Sequence, residues 1–223
     1  MAPNPPHALA VVSGGMDSAT LLHWLLHNGY EVQALSFDYG QRHRRELEFA
    51  RKLAAANDVP HDIIDLSVLR PYLSGSALTD DAVAVPHGHY ESESMKATVV
   101  PNRNAIFVSV AWGVAVARDM DAVAIGVHAG DHAIYPDCRP QFAAAIERAL
   151  CLGTDTAIQL LTPFVHKTKT DIAAIGSKLS VPYALTWTCY EGGEFHCGKC
   201  GACQERKEAF RDSGNADPTQ YAA

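Results

Sequence analysis

The chain has 223 residues, of which 48% are hydrophobic and 19% are charged, enough for one α/β domain with a substantial core plus a small appendage. Its net charge of −7 gives no general electrostatic reason to bind nucleic acid, and no apolar run approaches the roughly 20 residues that a membrane-spanning helix needs. The proline-rich start lacks the basic and apolar stretches of a secretory signal, so we expect a cytoplasmic protein with neither a nucleic-acid nor a membrane partner.

Short runs rich in Val, Ile and Leu alternate with helical stretches, the pattern of a parallel sheet covered by helices. The predicted strands are residues 8–12, 32–38, 61–66, 122–127 and 158–161. The predicted helices are residues 18–27, 44–57, 104–118, 140–152, 169–179 and 202–211, with Gly29 and Gly153 placed to end the first and fourth. The expected fold is a doubly wound, mainly parallel five-stranded sheet, Rossmann-like. Residues 67–101 are too long for an ordinary connection and predict a functional or partly mobile loop that covers a site.

The turn after the first predicted strand has the composition of a phosphate site, at the sheet edge where ligands bind in such folds. It reads Ser13-Gly14-Gly15-Met16-Asp17-Ser18. Its glycines let backbone N–H groups approach an anion, its hydroxyls can donate to phosphate oxygens, and the helix N-terminus adds a favourable dipole. Asp17 would repel phosphate unless a cation intervened, so we expect it to hold Mg²⁺ on ATP. The alternative interpretation is an ordinary capped Gly-Gly turn.

The order of strand, S-G-G-x-D-S turn and helix resembles the PP-loop ATP pyrophosphatase superfamily. The turn lacks the Gly-Lys-Ser/Thr ending that would indicate a P-loop. The resemblance implies an adenine nucleotide alpha hydrolase-like fold. It also implies that ATP adenylates an oxygen of the substrate, that pyrophosphate leaves and that a nucleophile then enters. The ATP-binding residues that it implies are Val12, Ser13, Gly14, Gly15, Met16, Asp17, Ser18, Phe37 and Arg103.

Four of the six cysteines fall close together near the C-terminus, as Cys189, Cys197, Cys200 and Cys203. In a reducing cytosol such a cluster indicates a metal rather than disulfides. Four thiolates can surround one tetrahedral Zn²⁺ with no open position, which predicts a structural zinc site in a small C-terminal ribbon. An iron–sulfur cluster and four free thiols are the alternatives, although no Cys-Pro follows as in ferredoxins.

Three further segments stand where ligand-facing loops are expected: Asp38-Tyr39-Gly40-Gln41-Arg42-His43, Val100-Pro101-Asn102-Arg103-Asn104 and Tyr135-Pro136-Asp137-Cys138-Arg139. Together with Thr188-Cys189-Tyr190 and the cysteine cluster they closely resemble the signature segments of the 7-cyano-7-deazaguanine synthase family, over about residues 9–210. The phosphate turn alone marks only the superfamily; the combination with Y-P-D-C-R and C-G-x-C-x-x-C is far more specific.

The resemblance implies a substrate, 7-carboxy-7-deazaguanine, whose carboxylate becomes a nitrile with ATP and ammonium in queuosine precursor synthesis. A carboxyl adenylate gives an amide with ammonia, and the amide oxygen is activated in turn. Because no glutaminase-sized segment is present, free ammonium is implied. Family members are expected to be homodimers.

The resemblance also suggests residue roles. Asp17, Lys169 and Arg103 are the predicted catalytic residues, the two cations neutralising pyrophosphate unless they are surface charges. The predicted substrate-binding residues are Asp131, Tyr135, Asp137 and Arg139, since a carboxylate suits a guanine-like N–H edge and an arginine suits a carboxylate. Cys138 is either a nucleophile or, more simply, a small buried residue, and His128 and His132 receive no specific role.

We divide the chain into a PP-loop α/β domain, residues 1–185, and a zinc-binding segment, residues 186–223, packed on it. Three other interpretations stay open. The first is a tRNA-thiolating enzyme, which would need catalytic cysteines and a basic surface. The second is an adenylating enzyme that uses another nucleophile on a deazaguanine acid. The third is a nucleotide-binding regulatory module.

Overall fold

The computed structural model describes residues 4–88 and 93–222. Its centre is a parallel five-stranded sheet in the order β3-β2-β1-β4-β5. The strands are β1 His7–Val11, β2 Glu31–Asp38, β3 His61–Asp65, β4 Ala122–Ala124 and β5 Gln159–Leu161. All four pairings are parallel, with Leu9 of β1 opposite Gln33 of β2 on one side and Val123 of β4 on the other. The strand order reverses at β1, so a crevice is expected beyond its carboxyl end.

Six α-helices cover the sheet: α1 Met16–His27, α2 Arg45–Ala56, α3 Arg103–Ala117, α4 Pro140–Thr154, α5 Lys169–Lys178 and α6 Gly201–Asp212. Side chains alternate along each strand between two apolar cores. Ala8 and Ala10 of β1 face the core shared by α1, α2, α5 and α6, whereas Leu9 faces the core shared by α3 and α4. Burial of both sheet faces explains why the inner strands β1 and β4 are almost wholly apolar, and the predicted fold class is confirmed.

The element ends show where local chemistry differs from the prediction. Gly29, with φ of 79°, follows α1 and ends it as predicted. The prediction for Gly153 was wrong, because α4 continues through it to Thr154 and Asp155, with φ of 51°, takes the left-handed position instead. The fourth strand was also predicted too long: it ends at Ala124, where the chain leaves the sheet towards the crevice.

Residues 67–101, predicted as one long loop, contain two 3-10 helices, Ser67–Tyr72 and Glu93–Thr98, and part of the segment lies outside the described residues. Arg42 anchors the segment by donating to the carbonyl oxygens of Asp80, Asp81 and Val83. None of the described residues of the segment lines the central cleft. They pack instead beside Tyr39 and beside the cysteine cluster, so the expected covering role is not seen in the described part.

The C-terminal segment is joined to the sheet domain by α6, whose Ala209 and Phe210 enter the same core as α1 and α5. Arg206 of α6 is fully buried and donates to Asp217, Thr186 and the carbonyl oxygen of Tyr183. This side chain therefore ties α6 to the tail and to the chain that precedes the cysteine cluster. No helix in the described part of the chain is long and apolar enough to cross a membrane.

Candidate active site and cysteine cluster

A cleft of about 220 Å³ opens beyond the carboxyl ends of β1, β2 and β4. It lies at the strand-order reversal, where an open α/β sheet binds its ligands. Most of the predicted site residues line it: Val12, Ser13, Gly15, Met16, Asp17, Ser18, Phe37, Arg103, Asp131, Tyr135 and Lys169. One cavity therefore brings together side chains that are more than 150 positions apart in the sequence.

The phosphate turn is closed by its own hydrogen bonds. The Ser13 N–H donates to the Ser18 hydroxyl at 3.2 Å, and that hydroxyl donates to the Gly15 carbonyl oxygen at 3.1 Å. The two serine hydroxyls lie 3.1 Å apart, and α1 begins at Met16 directly behind them. An anion at this place would meet the helix N-terminus and two hydroxyls that can exchange their internal partners for it.

Gly14 shapes this turn from behind without lining the cleft. Its φ is 90°, and a Cβ on it would lie 2.1 Å from the carbonyl oxygen of Glu46, so only glycine fits against α2 here. The Gly14 carbonyl oxygen accepts from the Trp187 N–H at 2.8 Å. The turn is thus clamped between α2 and the chain that leads to the cysteine cluster.

A charged cluster faces the turn. The Lys169 ammonium, at the start of α5, lies 2.6 Å from Oδ2 of Asp17 and 3.2 Å from Oε2 of Glu205. Burial acts to lower the pKa of Lys169, but the two carboxylates outweigh it and raise the pKa, so Lys169 is a cation. The Oδ1 atom of Asp17 is buried and has no partner among the described residues. An oxygen left unpaired at a phosphate turn suits a Mg²⁺ ligand.

His128 connects the same carboxylates. Its Nδ1 accepts from the Gly130 N–H at 3.1 Å, so the proton of the neutral ring belongs on Nε2. Nε2 lies 3.4 Å from Oδ2 of Asp131 and 3.9 Å from Oδ2 of Asp17, with Lys169 Nζ at 3.3 Å. The nearest carboxylate to Nε2 is therefore that of Asp131.

The other side of the cleft centres on Arg103, the first residue of α3. Phenol groups of Tyr39, Tyr135 and Tyr190 surround its guanidinium. Burial raises the pKa of Tyr39 to about 12 and also raises the pKa of Tyr190, so these phenols are neutral at pH 7. Glu46 of α2 shares this side, and burial raises its pKa to about 7. Arg103 is therefore a cation in a largely uncharged, aromatic surrounding.

The four predicted metal-binding cysteines come together. The sulfur atoms of Cys189, Cys197, Cys200 and Cys203 all lie within 4.8 Å of one another. Backbone N–H groups of Cys197 and Glu191 donate to the Cys189 sulfur, and those of Lys199 and Cys200 donate to the Cys197 sulfur. N–H donors of this kind stabilise thiolates, and four converging sulfurs can bind a metal ion. His196 stays outside the sulfur set, since its Nε2 accepts from the Thr188 N–H at 3.1 Å.

The comparisons with known proteins bear on this combination of cleft and cluster. The family model of the queuosine biosynthesis protein QueC matches residues 7–214. The chain belongs to the QueC family. A 7-cyano-7-deazaguanine synthase of Ruegeria pomeroyi is 53% identical over 96% of this chain and 94% of the relative. The Alteromonas mediterranea protein of the same name is 50% identical over 96% of this chain and 98% of the relative.

Solved structures share the fold at much lower identity. NMN synthetase from Francisella tularensis superposes with a TM-score of 0.53 at 15% identity, covering 99% of this chain and 80% of that chain. At this identity the likeness shows that the QueC family chain has the same fold and nothing further.

Two predicted substrate-binding residues do not line the cleft of this QueC family member. Oδ2 of Asp137 accepts from the Asn104 N–H at 2.9 Å and so satisfies a donor in the first turn of α3. Arg139 is exposed, and its Nε donates to the carbonyl oxygen of His132 at 2.8 Å. Asp131 and Tyr135 are the members of the predicted substrate set that face the cavity.

Cys138 packs as a small buried residue, as the simpler of its two predictions expects. It is buried, and Asn104 Nδ2 donates to its sulfur at 3.2 Å. Burial, followed by the charges of Asp131 and Asp137, raises the pKa of the Cys138 thiol, so it is protonated at neutral pH. A protonated buried thiol is a poor nucleophile.

The sequence reasoning missed two cleft carboxylates, Glu46 and Glu205. Both lie within predicted helices, where a glutamate is usually solvated, so no local pattern set them apart. Their positions did offer a signal: Glu205 follows Cys203 of the cysteine cluster by two residues, and Glu46 follows the Asp38–His43 signature segment by three.

Proposed function

We propose that this protein converts 7-carboxy-7-deazaguanine and ammonium to 7-cyano-7-deazaguanine with ATP, in queuosine precursor biosynthesis. The observation that carries the proposal is the cluster of Asp17, Lys169 and Glu205 beside a phosphate turn, in the same cleft as Arg103. Cations and a free carboxylate oxygen at such a turn suit an ATP whose pyrophosphate leaves. The names of the relatives supply the product, 7-cyano-7-deazaguanine, and the family resemblance supplies the acid from which it is made.

The chemistry consists of two activations. An oxygen of the substrate carboxylate attacks the α-phosphorus of ATP, and pyrophosphate leaves. Ammonia then attacks the carbonyl carbon, AMP leaves with that oxygen, and the nitrogen loses a proton to give the amide. The amide oxygen attacks a second α-phosphorus, pyrophosphate leaves again, and loss of AMP and of the two remaining amide protons leaves the nitrile. Each carboxylate oxygen therefore ends in a different AMP.

The residues divide this work between the two sides of the cleft. We assign the ATP phosphates to Ser13, Gly15 and Ser18, with Phe37 against the nucleotide. Lys169 neutralises charge that develops on the leaving pyrophosphate, as positioned cations do in phosphoryl chemistry. Asp17 would hold Mg²⁺ through its unpartnered oxygen, and the ion when bound would neutralise phosphate charge. Arg103 is assigned to the substrate carboxylate or the pyrophosphate, and Asp131 and Tyr135 to the heterocycle.

We assign Zn²⁺ to the cysteine cluster. Four sulfurs at about 2.3 Å from one zinc ion lie about 3.8 Å apart, and the Cys197 and Cys203 sulfurs lie 4.0 Å apart. Sulfurs around a four-iron cluster stand further from one another because they surround a cube rather than one atom. With four sulfur ligands no position is open, so the ion has a structural role. The zinc-binding segment, residues 186–223, then forms one wall of the cleft of the domain of residues 1–185.

We further propose a homodimer in the cytoplasm, from the family resemblance. Light scattering after size-exclusion chromatography would give the mass in solution, and a monomer at assay concentration would refute the dimer.

The proposed function is tested with zinc-replete protein, ATP, Mg²⁺, ammonium and the acid labelled with ¹⁸O in both carboxylate oxygens. Mass spectrometry should detect the amide as an intermediate, the nitrile as product and AMP that carries one ¹⁸O atom. Release of pyrophosphate without formation of amide or nitrile would support the adenylation step and reject ammonia as the nucleophile. No pyrophosphate at all would reject the enzymatic proposal and favour a binding module.

A further inference from the structure

Glu46 is a carboxylate in the cleft that the mechanism above does not use. It belongs to α2 on the Arg103 side, away from the cluster of Asp17, Lys169 and Glu205. No ion pair joins it to Arg103 within the described part of the chain, although the Arg103 charge acts on it. A partly buried carboxylate without an ion pair is unfavourable unless a ligand supplies donors.

One oxygen of Glu46 is fixed by a buried amide. Gln41 Nε2 donates to Oε1 of Glu46 at 3.0 Å. The Gln41 amide cannot be reversed, because its Oε1 accepts from the Tyr39 N–H at 2.9 Å and its Nε2 also donates to the Phe37 carbonyl oxygen. The backbone at the end of β2 therefore dictates the orientation of the Glu46 carboxylate.

The second oxygen remains available to a ligand. Gln41 is the one hydrogen-bond donor to the Glu46 carboxylate among the described residues. Oε2 of Glu46 is not fully buried, and Glu46 lines the cleft, so a ligand in the cleft can reach this oxygen. A carboxylate offers about four acceptor positions, and Gln41 uses one of them. Glu46 thus presents an oriented, unfilled acceptor edge.

Aromatic rings flank this edge. The Phe37 and Phe107 rings stack with centroids 4.4 Å apart, and Tyr39 lies tilted against Phe107 at 5.4 Å. All three side chains line the cleft, and Phe37 is the one assigned to the nucleotide above. The rings of Tyr39 and Phe107 remain for a flat heterocycle, whose donor edge would meet the carboxylate.

We propose that Glu46 binds the N1–H and 2-amino edge of the deazaguanine and so selects a guanine-like substrate. This inference rests on the proposed function and names the group that reads the heterocycle. Two adjacent N–H donors match one carboxylate. An adenine presents a donor beside the acceptor N1, which a carboxylate repels, so the same residue excludes the base of ATP from this place. Arg103 on the same side then matches the 7-carboxylate of the substrate.

The test compares kcat/KM for 7-carboxy-7-deazaguanine with kcat/KM for an analogue in which hydrogen replaces the 2-amino group. Hydrogen bonds to a charged partner predict that the wild-type protein prefers the parent by about 10- to 150-fold. In Glu46→Gln the new amide turns its oxygen to Gln41 and its NH₂ to the ligand. The kcat/KM of the variant for the parent compound should therefore fall by a similar factor. Its preference for the parent over the analogue should fall to within about threefold. The KM for ATP should stay within about twofold.

Glu48→Gln is the matched control, because Glu48 lies exposed on the same helix, and it should behave as the wild type in every measurement. If Glu46→Gln does not fold, the comparison of the two substrates in the wild-type protein still tests the inference. A wild-type protein that turns over both substrates equally well overturns it. So does a Glu46→Gln variant that keeps the full preference. A wild-type protein that turns over neither substrate refutes the proposed function itself, which separates the two failures.

Discussion

Replacing Glu46 by glutamine should change how the stability of the protein depends on pH, with no substrate present. Burial raises the pKa of Glu46 from 4.5 to about 7, so the folded protein holds this proton more tightly than the unfolded chain. A pKa raised on folding stabilises the fold at low pH, and that contribution disappears as pH rises through the folded value. The uncharged glutamine has no such dependence.

The magnitude follows from the shift. At 1.36 kcal/mol for each pKa unit, the full effect has a ceiling of about 3 kcal/mol, and most of it falls between pH 5.5 and pH 8. Because Glu46 is only partly buried, we expect about 1–2 kcal/mol over that interval. For a chain of this size, the wild type should lose about 2–8 °C in Tm relative to Glu46→Gln between the two pH values.

The assay is thermal unfolding of wild type, Glu46→Gln and Glu48→Gln at pH 5.5 and pH 8. Comparing variants at the same pH cancels the titration of the cysteine cluster, which all three proteins share. Glu48→Gln should differ from wild type by the same small amount at both pH values. A Glu46→Gln difference that does not change with pH, or that changes in the opposite direction, would refute the burial on which the recognition argument depends.

Four further substitutions test the rest of the site. Lys169→Met should lower kcat about 10²- to 10³-fold in the pyrophosphate-release assay while the protein stays folded, and near-normal turnover would reject its role. Arg206→Met breaks the ion pair between the fully buried Arg206 and Asp217 and should cost about 3–5 kcal/mol, seen as a Tm loss of about 6–20 °C, whereas Arg211→Met, exposed on the same helix, should cost under about 0.5 kcal/mol. Cys203→Ser should abolish stoichiometric zinc by elemental analysis; retained zinc would contradict the four-sulfur site. Cys138→Ala should keep kcat within about threefold, and an inactive but folded variant would restore Cys138 as a nucleophile.

Cysteine placement also weighs against a thiolating enzyme. Four of the six cysteines form the cysteine cluster, and Cys138 is buried with a raised pKa. Cys151 lies on α4, outside the cleft, and its sulfur contacts the Ile158 carbonyl oxygen. A thiolating mechanism needs an accessible thiolate beside the activated substrate, and the cleft does not supply one.

Much of the fold could be predicted because both faces of the sheet are buried. Runs containing Val, Ile or Leu marked all five strands, and the phosphate turn fixed which end of the sheet carries the site. The errors came from competing local choices. Asp155 adopts the left-handed conformation that ends α4, so the helix continues past Gly153. Gly153 itself does not have a positive φ. Ile125 and the residues after it are as apolar as a strand but line the cleft instead.

The site was predictable where chemistry is local in sequence and unpredictable where it depends on packing. The phosphate turn and the cysteines carry their function in their spacing. Asp137 looks like a ligand-binding residue in its motif, yet in the fold it bonds the Asn104 N–H of the next helix. Glu46 looks like a solvated helix residue, and only the buried amide of Gln41 shows that its carboxylate is held at the cleft.

The C-terminal segment is better understood as a wall of the active site than as an appendage. The Trp187 N–H holds the Gly14 carbonyl oxygen from behind, and Glu205 pairs with Lys169 from the front. Both groups adjoin the cysteine cluster: the Trp187 indole N–H donates to the Cys189 carbonyl oxygen, and α6 begins beside Cys200 and carries Glu205 one half-turn beyond Cys203. A metal bound there would fix the start of α6, and with it the carboxylate that pairs with the Lys169 ammonium. Loss of such a metal should therefore disturb both sides of the phosphate site, although none of the four cysteines lines the cleft.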